Sequence, residues 1–484
     1  MKKAEVVFIP LPAMGHIIAA VELAKLIVER DDRVSASVLM MNPPLDSTTT
    51  KYTESLTAST LPNRIRVVHL PSLEHTAVSN MAANWMASLA EAQKPHVKEF
   101  VSKIKAQSEL SPHDSPQLAG FVVDTFVLGM NDLAGEFGVP WYVFSASGAA
   151  FIGSMLYLQT LHDEVKGDLP ELKDSDTELE IPSLVNRLPA KLLPSMVLKR
   201  ESLASFLGAA RRLKHARGIL INTFEELESH AINSLSKGEI PPVYPVGPIV
   251  RCKGNSYDVG SSQINDYKDI MQWLDDQPPC SVVFLCFGSW GSFSVDQVKE
   301  IADALEQCGH RFLWCLRKPP CKGKIESPSD CADFQEILPE EFLDRSAKIG
   351  KVIKWAPQVE ILGHKAIGGF VSHCGWNSTL ESILSGVPIA TWPLYGEQQF
   401  NAFEMVIELG LAVEIKMDYR KDLSKDGIVV SSEDIQRGLK LLMDPESEIR
   451  KKVKEMSQLS RKALMEDGSS YSALAHLIED IMGN

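Results

Sequence analysis

The sequence predicts an α/β protein built as two doubly wound domains, on three observations. Short apolar runs alternate with amphipathic ones along most of the 484 residues. Strands alternating with helices form parallel sheets covered on both faces. A proline-rich passage, IPPVYPVGPIV at 240–250, interrupts this rhythm once, and the rhythm then restarts. A chain of this length also exceeds one ordinary hydrophobic core.

The elements follow in order. EVVFIPL is β-like, and HIIAAVELAKLIVER has helical periodicity, with Ile17, Val21, Ala24 and Val28 on one face. The opening MKKAEVVFIPLPAMGH imitates a signal peptide, but Pro10, Pro12 and His16 interrupt it, so a buried first strand is the better reading. AGFVVD is a short apolar strand. LGMNDLAGEFGVP reads as a helix stopped by Gly138 and Pro140. WYVFSAS and GILINT (218–223) are further strands, the latter followed by the acidic helix start FEELES. The proline-rich passage reads as an extended linker. Beyond it, SVVFLCFGS, SVDQVKEIADALEQCG, RFLWCLR, GKVIKWAP and GGFVSHCG form the second alternating set, and 318–336 is polar and loop-like.

Composition narrows the function. With 44% hydrophobic and 23% charged residues the chain is of soluble globular type. A net charge of −14 argues against nucleic-acid backbones and anionic membranes as partners. The best apolar run, GAAFIGSMLYLQTL (148–161), is too short to cross a bilayer. All eight cysteines lie at or after Cys252 and none forms a CxxC pair, which predicts thiols in a reducing, cytoplasmic setting.

Ligands of open α/β sheets bind beyond the carboxyl ends of the strands. That singles out PLPAMGH (10–16), VVDTF (122–126) and the stretch from Trp355 to Gln398. In HCGWNSTLESILSGVP (373–388), GGFVS reads as the strand, HCGWNS as the loop and TLESILSG as the next helix. A helix start offers unpaired N–H groups and a positive dipole end. His373, Asn377 and Ser378 add donors, and Gly375 admits close approach, so an anion such as a diphosphate suits the place. Ser378 and Glu381 also fit a plain capping box. Trp355 is either core or a stacking platform for a planar base whose edge Gln358 reads. Glu397 and Gln398 suit vicinal hydroxyls, or a polar helix start. His16 lies at a strand end and a helix start, where the dipole disfavours imidazolium. Asp124, at the end of another strand, is placed to orient the ring of a histidine base. Capping or core roles are the alternatives for both. The D-x-D at 174–176 lies in an acidic surface composition and reads as solvated charge.

The 44 positions from Trp355 to Gln398 resemble, end to end, the nucleotide-sugar signature of plant family 1 uridine-diphosphate-dependent glycosyltransferases. The wider chain is similar to that family in outline. The resemblance implies a GT-B fold of two facing Rossmann-like domains. It places an acceptor domain at 1–240, a linker at 241–255, a UDP-sugar domain at 256–462, and a last helix within 463–484 crossing back to the first domain. It implies that Trp355, with Ala356 beside it, stacks on uracil near Gln358, and that Glu381 takes the ribose hydroxyls. His373, Asn377, Ser378 and Ser289 would hold the diphosphate; Trp376, Glu397 and Gln398 would meet the sugar. Many members carry Asp where Glu397 stands; Glu keeps the carboxylate but moves it by one methylene. Gln at 398 is the family's usual sign of glucose. His16 would be the base and Asp124 its partner, in a direct displacement that gives a β-glucoside. The implied co-substrate is UDP-glucose with no metal or other cofactor. The implied acceptor is a small apolar hydroxylated compound, flavonoid or other phenolic, with terpenoids as the alternative. Segments 75–86, 144–151 and 193–200 are candidates to line its pocket. The chain is expected to be a monomer that inserts in no membrane. Two rivals stand beside this reading. An NAD-dependent oxidoreductase would need G-x-G-x-x-G after the first strand, which PLPAMGH lacks. A non-catalytic UDP-sugar binder would have no use for His16 and Asp124.

Overall fold

The structure, a computed structural model, describes residues 3–483 apart from 42–46, 58–60, 73–84, 112–114, 166–167, 252–260, 320–327, 331–332 and 423–427. Cys252, Cys321 and Cys331, most of the candidate pocket segment 75–86, and parts of the linker and of 318–336 therefore lie outside the described residues.

The first half forms a seven-stranded parallel sheet. Its strands are β1 (Ala4–Ile9), β2 (Val34–Met40), β3 (Ile65–His69), β4 (Gln117–Asp124), β5 (Trp141–Ser145), β6 (Gly218–Ile221) and β7 (Val243–Pro245). Their spatial order is β3-β2-β1-β4-β5-β6-β7. β1 and β5 are buried along their whole length, as strands covered on both faces must be. The second half forms a six-stranded parallel sheet from β8 (Val282–Cys286), β9 (Arg311–Cys315), β10 (Gly350–Ile353), β11 (Ile367–Ser372), β12 (Ile389–Thr391) and β13 (Ala412–Glu414). Its order is β10-β9-β8-β11-β12-β13. In each sheet the order reverses beside the first strand: between β1 and β4, and between β8 and β11. These reversals are where doubly wound folds open a ligand crevice.

Six helices matter for the site: α1 (Met14–Arg30), α2 (Ala149–Val165), α3 (Glu225–Ser236), α4 (Trp376–Ser385), α5 (Gln398–Phe403) and α6 (Ser469–Ile481). The last of these, α6, packs on the first sheet: Leu474, Leu477, Ile478 and Ile481 join the core around β1 and β2, and the Tyr142 hydroxyl donates to Asp480 at 2.9 Å. One continuous apolar core runs through both halves, with Phe151 of α2 edge-on to Phe400 of α5, centroids 6.2 Å apart.

Two local readings are corrected. Residues 243–245, read as linker, form the seventh strand; an edge strand needs donors on one side only, so Pro245 is tolerated there. The loop read as HCGWNS ends at Gly375. Gly375 is the N-cap of α4 without a side-chain cap, so Trp376, Asn377 and Ser378 form the first helical turn. Ser378 is therefore not the N-cap that the capping-box alternative required.

Candidate active site

At the first reversal, His16 sits in the first turn of α1, just beyond β1, and Asp124 ends β4. β1 and β4 are neighbours, so the two side chains meet: His16 Nδ1 and Asp124 Oδ2 are 2.7 Å apart. Asp124 is buried, and its other oxygen accepts from the Phe126 backbone N–H at 3.0 Å. A carboxylate only accepts, so Nδ1 carries the proton and Nε2 is left as the basic nitrogen. The helix start does not decide the charge of the ring, contrary to the sequence expectation. Burial pulls the imidazole down, but the charge and hydrogen bond of Asp124, with Glu397 adding to them, leave it above its ordinary value. The Phe126 ring stands edge-on to His16, centroids 5.7 Å apart.

Phe126 also lines a cleft of about 190 Å³, with Met86, Ala90, Leu128, Met196 and Arg212. Met86 and Met196 come from two of the three candidate acceptor segments. The third, 144–151, is buried behind the cleft: Phe151 packs on Phe126 at 6.3 Å.

At the second reversal, the loop after β8 passes over His373, the residue that follows β11. Gly288 has a φ of +73°, and a Cβ on it would lie 2.6 Å from His373 Nε2; a Cβ on Gly375 would lie equally close. Bare backbone thus flanks the imidazole on both sides. Burial drives His373 down to about 4, so the ring is neutral, and its Nδ1 is buried without a hydrogen-bond partner among the described residues. Beside it the N–H groups of the first turn of α4 are open, as at any helix start. Ser289 lies in the same β8 loop, its carbonyl accepting from Arg317 at 3.3 Å.

β10 leads to Trp355 and Ala356, both half-buried, and then to Gln358 at the start of a short helix. The Gln358 amide donates to Ser378 Oγ at 2.8 Å and to Glu381 Oε2 at 2.7 Å. Burial raises the Glu381 carboxyl to about 7, against the pull of that amide. Gln398 accepts from the backbone N–H groups of Leu394 (2.9 Å) and Tyr395 (3.1 Å), which fixes the loop before α5. Glu397 is raised by burial, with His16 and a hydrogen bond to Ser147 opposing. A carboxylate of the second half therefore faces the histidine of the first.

The contacts that join the halves have no local signature in the sequence. Trp376, 2% exposed, donates its indole N–H to the Asn222 carbonyl at 2.7 Å, so its indole nitrogen is already engaged within the protein. The Asn222 side chain donates to Ile249 O and accepts from Ile249 N, and its Nδ2 lies 3.4 Å from Asn377 Oδ1. Asn377 donates to the Gly15 carbonyl at 2.8 Å, one residue from His16. Among the described residues no cluster of three or more His, Cys, Asp or Glu is placed to hold a metal ion.

Two parallel sheets whose reversals face each other, one carrying a His–Asp pair and the other a helix start with open N–H groups, have the architecture of the GT-B glycosyltransferases. The family model for UDP-glucoronosyl and UDP-glucosyl transferase matches residues 260–466. A UDP-glucose flavonoid 3-O-glucosyltransferase of Fragaria ananassa is 54% identical over 487 residues, 99% of each chain. An anthocyanidin 3-O-glucosyltransferase of Manihot esculenta is 54% identical, covering 97% of this chain and 100% of its own. Among solved structures, a Siraitia grosvenorii transferase in complex with UDP superposes with a TM-score of 0.86 at 44% identity, over 99% of this chain and 100% of its own. The Medicago truncatula enzyme UGT71G1 complexed with UDP-glucose gives 0.84 at 37%, over 99% of this chain and 99% of its own. The chain belongs to the plant family 1 UDP-glycosyltransferases, with the flavonoid glucosyltransferases among its relatives.

Proposed function

We propose that this enzyme moves glucose from UDP-glucose to a hydroxyl of a small apolar phenolic, a flavonoid first, with inversion to a β-O-glucoside. The observation that carries the reading is the hydrogen-bonded His16–Asp124 pair, which Glu397 faces from the second half. His16 Nε2 takes the acceptor hydroxyl proton while Asp124 steadies the ring and its developing charge. The oxygen attacks the anomeric carbon and UDP leaves from the opposite face. His373, Asn377, Ser378, Ser289 and the first-turn N–H groups of α4 receive the diphosphate charge, which grows as the bond breaks. Trp355 and Ala356 take the uracil, Gln358 and Glu381 the nucleoside, and Trp376, Glu397 and Gln398 the glucose. The acceptor lies in the cleft beside Phe126. The relatives' names support a flavonoid over a terpenoid acceptor. The chemistry proposed uses no metal, and the enzyme works as a cytoplasmic monomer that inserts in no membrane; no helix among the described residues is long and apolar enough to cross one.

The test is UDP release from UDP-glucose with a flavonol such as quercetin, in EDTA, for the native chain and His16→Ala. Release by the native chain alone, with UDP affinity equal in both, is expected. Equal release from both removes His16 as base. Silence from both, with UDP still bound, moves the acceptor to a terpenoid or another phenolic.

A further inference from the structure

Two thiols that this reaction does not use end neighbouring strands beneath the nucleotide cleft. Cys286 ends β8 and Cys315 ends β9. Leu285 is in register with Trp314, so one step further along the parallel strands sets Cys286 beside Cys315. Neighbouring strands lie about 4.8 Å apart, inside the roughly 4.4–6.8 Å between Cα atoms that a disulfide spans. The two side chains are hydrogen-bonded to each other. Cys286 is 7% exposed; Cys315 is partly exposed, and its sulfur lies 3.6 Å from the Lys354 carbonyl, next to Trp355. The Glu381 carboxylate is within electrostatic reach of Cys286.

We propose that Cys286 and Cys315 are an oxidisable pair that closes to a disulfide under peroxide, and that the closed form binds UDP more weakly. Only the second half rests on the proposed nucleotide cleft. The Cys315 hydrogen bond holds the Cys286 thiol below its ordinary value against the effect of burial, helped by the Gly288 backbone and the Arg317 guanidinium. Burial pushes the Cys308 and Cys374 thiols up instead. An acidified thiol beside a resolving one is the arrangement of thiol redox sensors. The Cys286 thiolate attacks a peroxide oxygen; the O–O bond breaks, leaving a sulfenic acid and, after proton transfer, water. The Cys315 sulfur then attacks the sulfenic sulfur, the S–O bond breaks, and a second water leaves. Two thiols and one hydrogen peroxide become one disulfide and two waters. The sulfurs must close to about 2.05 Å. That drags the loop after β8, where Gly288 already lies against His373, toward Lys354 and Trp355.

The experiment treats the full chain with hydrogen peroxide, caps the remaining thiols, and maps peptides without reduction. A Cys286–Cys315 linked peptide is expected before Cys308 or Cys374 is modified. The UDP dissociation constant by calorimetry should rise at least fivefold and return with dithiothreitol. Saturating UDP should slow the cross-link at least threefold. Cys315→Ser should keep UDP affinity and lose the peroxide effect; if it fails to fold, the native peptide map still decides. No linked peptide, or a linked peptide with UDP affinity unchanged, overturns the proposal. An untreated chain that binds no UDP defeats the nucleotide reading instead, and the peptide map then judges the thiol pair alone.

Discussion

At the scale of single residues, the site turns on the environment of one imidazole. Asp124 and Glu397 hold the His16 proton more tightly than water does, and a base works only when it has none. Activity should therefore fall as pH drops through a midpoint above the usual histidine value of about 6.5. In a kcat/KM profile, Asp124→Asn should move that acidic limb to lower pH and lower the plateau by about 10²–10⁴-fold, since ring orientation is lost as well. A limb unmoved by the substitution refutes the pairing. The pair was legible because each member ends a strand-like run, and strand ends in parallel sheets share one edge. The direction of the histidine's shift was not legible, because it is a balance between burial and the charge and hydrogen bond of Asp124, with a smaller contribution from Glu397, 381 positions further along the chain.

At the scale of elements, the proposed donor site is a loop, a strand end and a helix start held at contact distance. Gly288 has the left-handed φ and the missing Cβ that this contact needs. Gly288→Ala adds roughly 1–2 kcal/mol of backbone strain and forces His373 aside. UDP affinity should drop about tenfold or more by calorimetry, while the His16 side of the cleft keeps its geometry; unchanged affinity means the loop yields freely. The alternation of strands and helices was readable from short apolar runs. The start of α4 was set too late, because Trp, Asn and Ser in sequence look like loop while a lone glycine supplies the cap. The proline-rich strand was missed for a related reason: extended backbone has the same composition whether or not an edge strand pairs with it.

At the scale of the whole molecule, the two halves meet through buried polar groups with no local signature. Glu228, inside α3, accepts from the first-turn N–H groups of α2 at Ala149 (2.9 Å) and Ala150 (2.7 Å). Glu404, just after α5, is buried against it, and one of its oxygens has no partner among the described residues. Burial, then the nearness of Glu228, raise the Glu404 carboxyl well above its ordinary value. A folded-state value above the unfolded one means that the stabilising proton is fully effective below about pH 4.5. The contribution is lost as pH rises through the raised value. Glu404→Gln keeps the neutral shape, so its thermal midpoint should gain on the native chain by about 2 °C or more at pH 8 and gain little at pH 5. A pH-independent difference rules this out. Such pairings, 176 positions apart, could not be foreseen from periodicity.

The bond from Asn377 to the Gly15 carbonyl sets the beginning of α4 against the beginning of α1. Each beginning carries about half a positive charge, so the halves of this enzyme are magnets pressed like pole to like pole. A diphosphate laid between them would turn mutual repulsion into shared attraction, and the nucleotide that feeds the reaction would also cement the halves that carry it out.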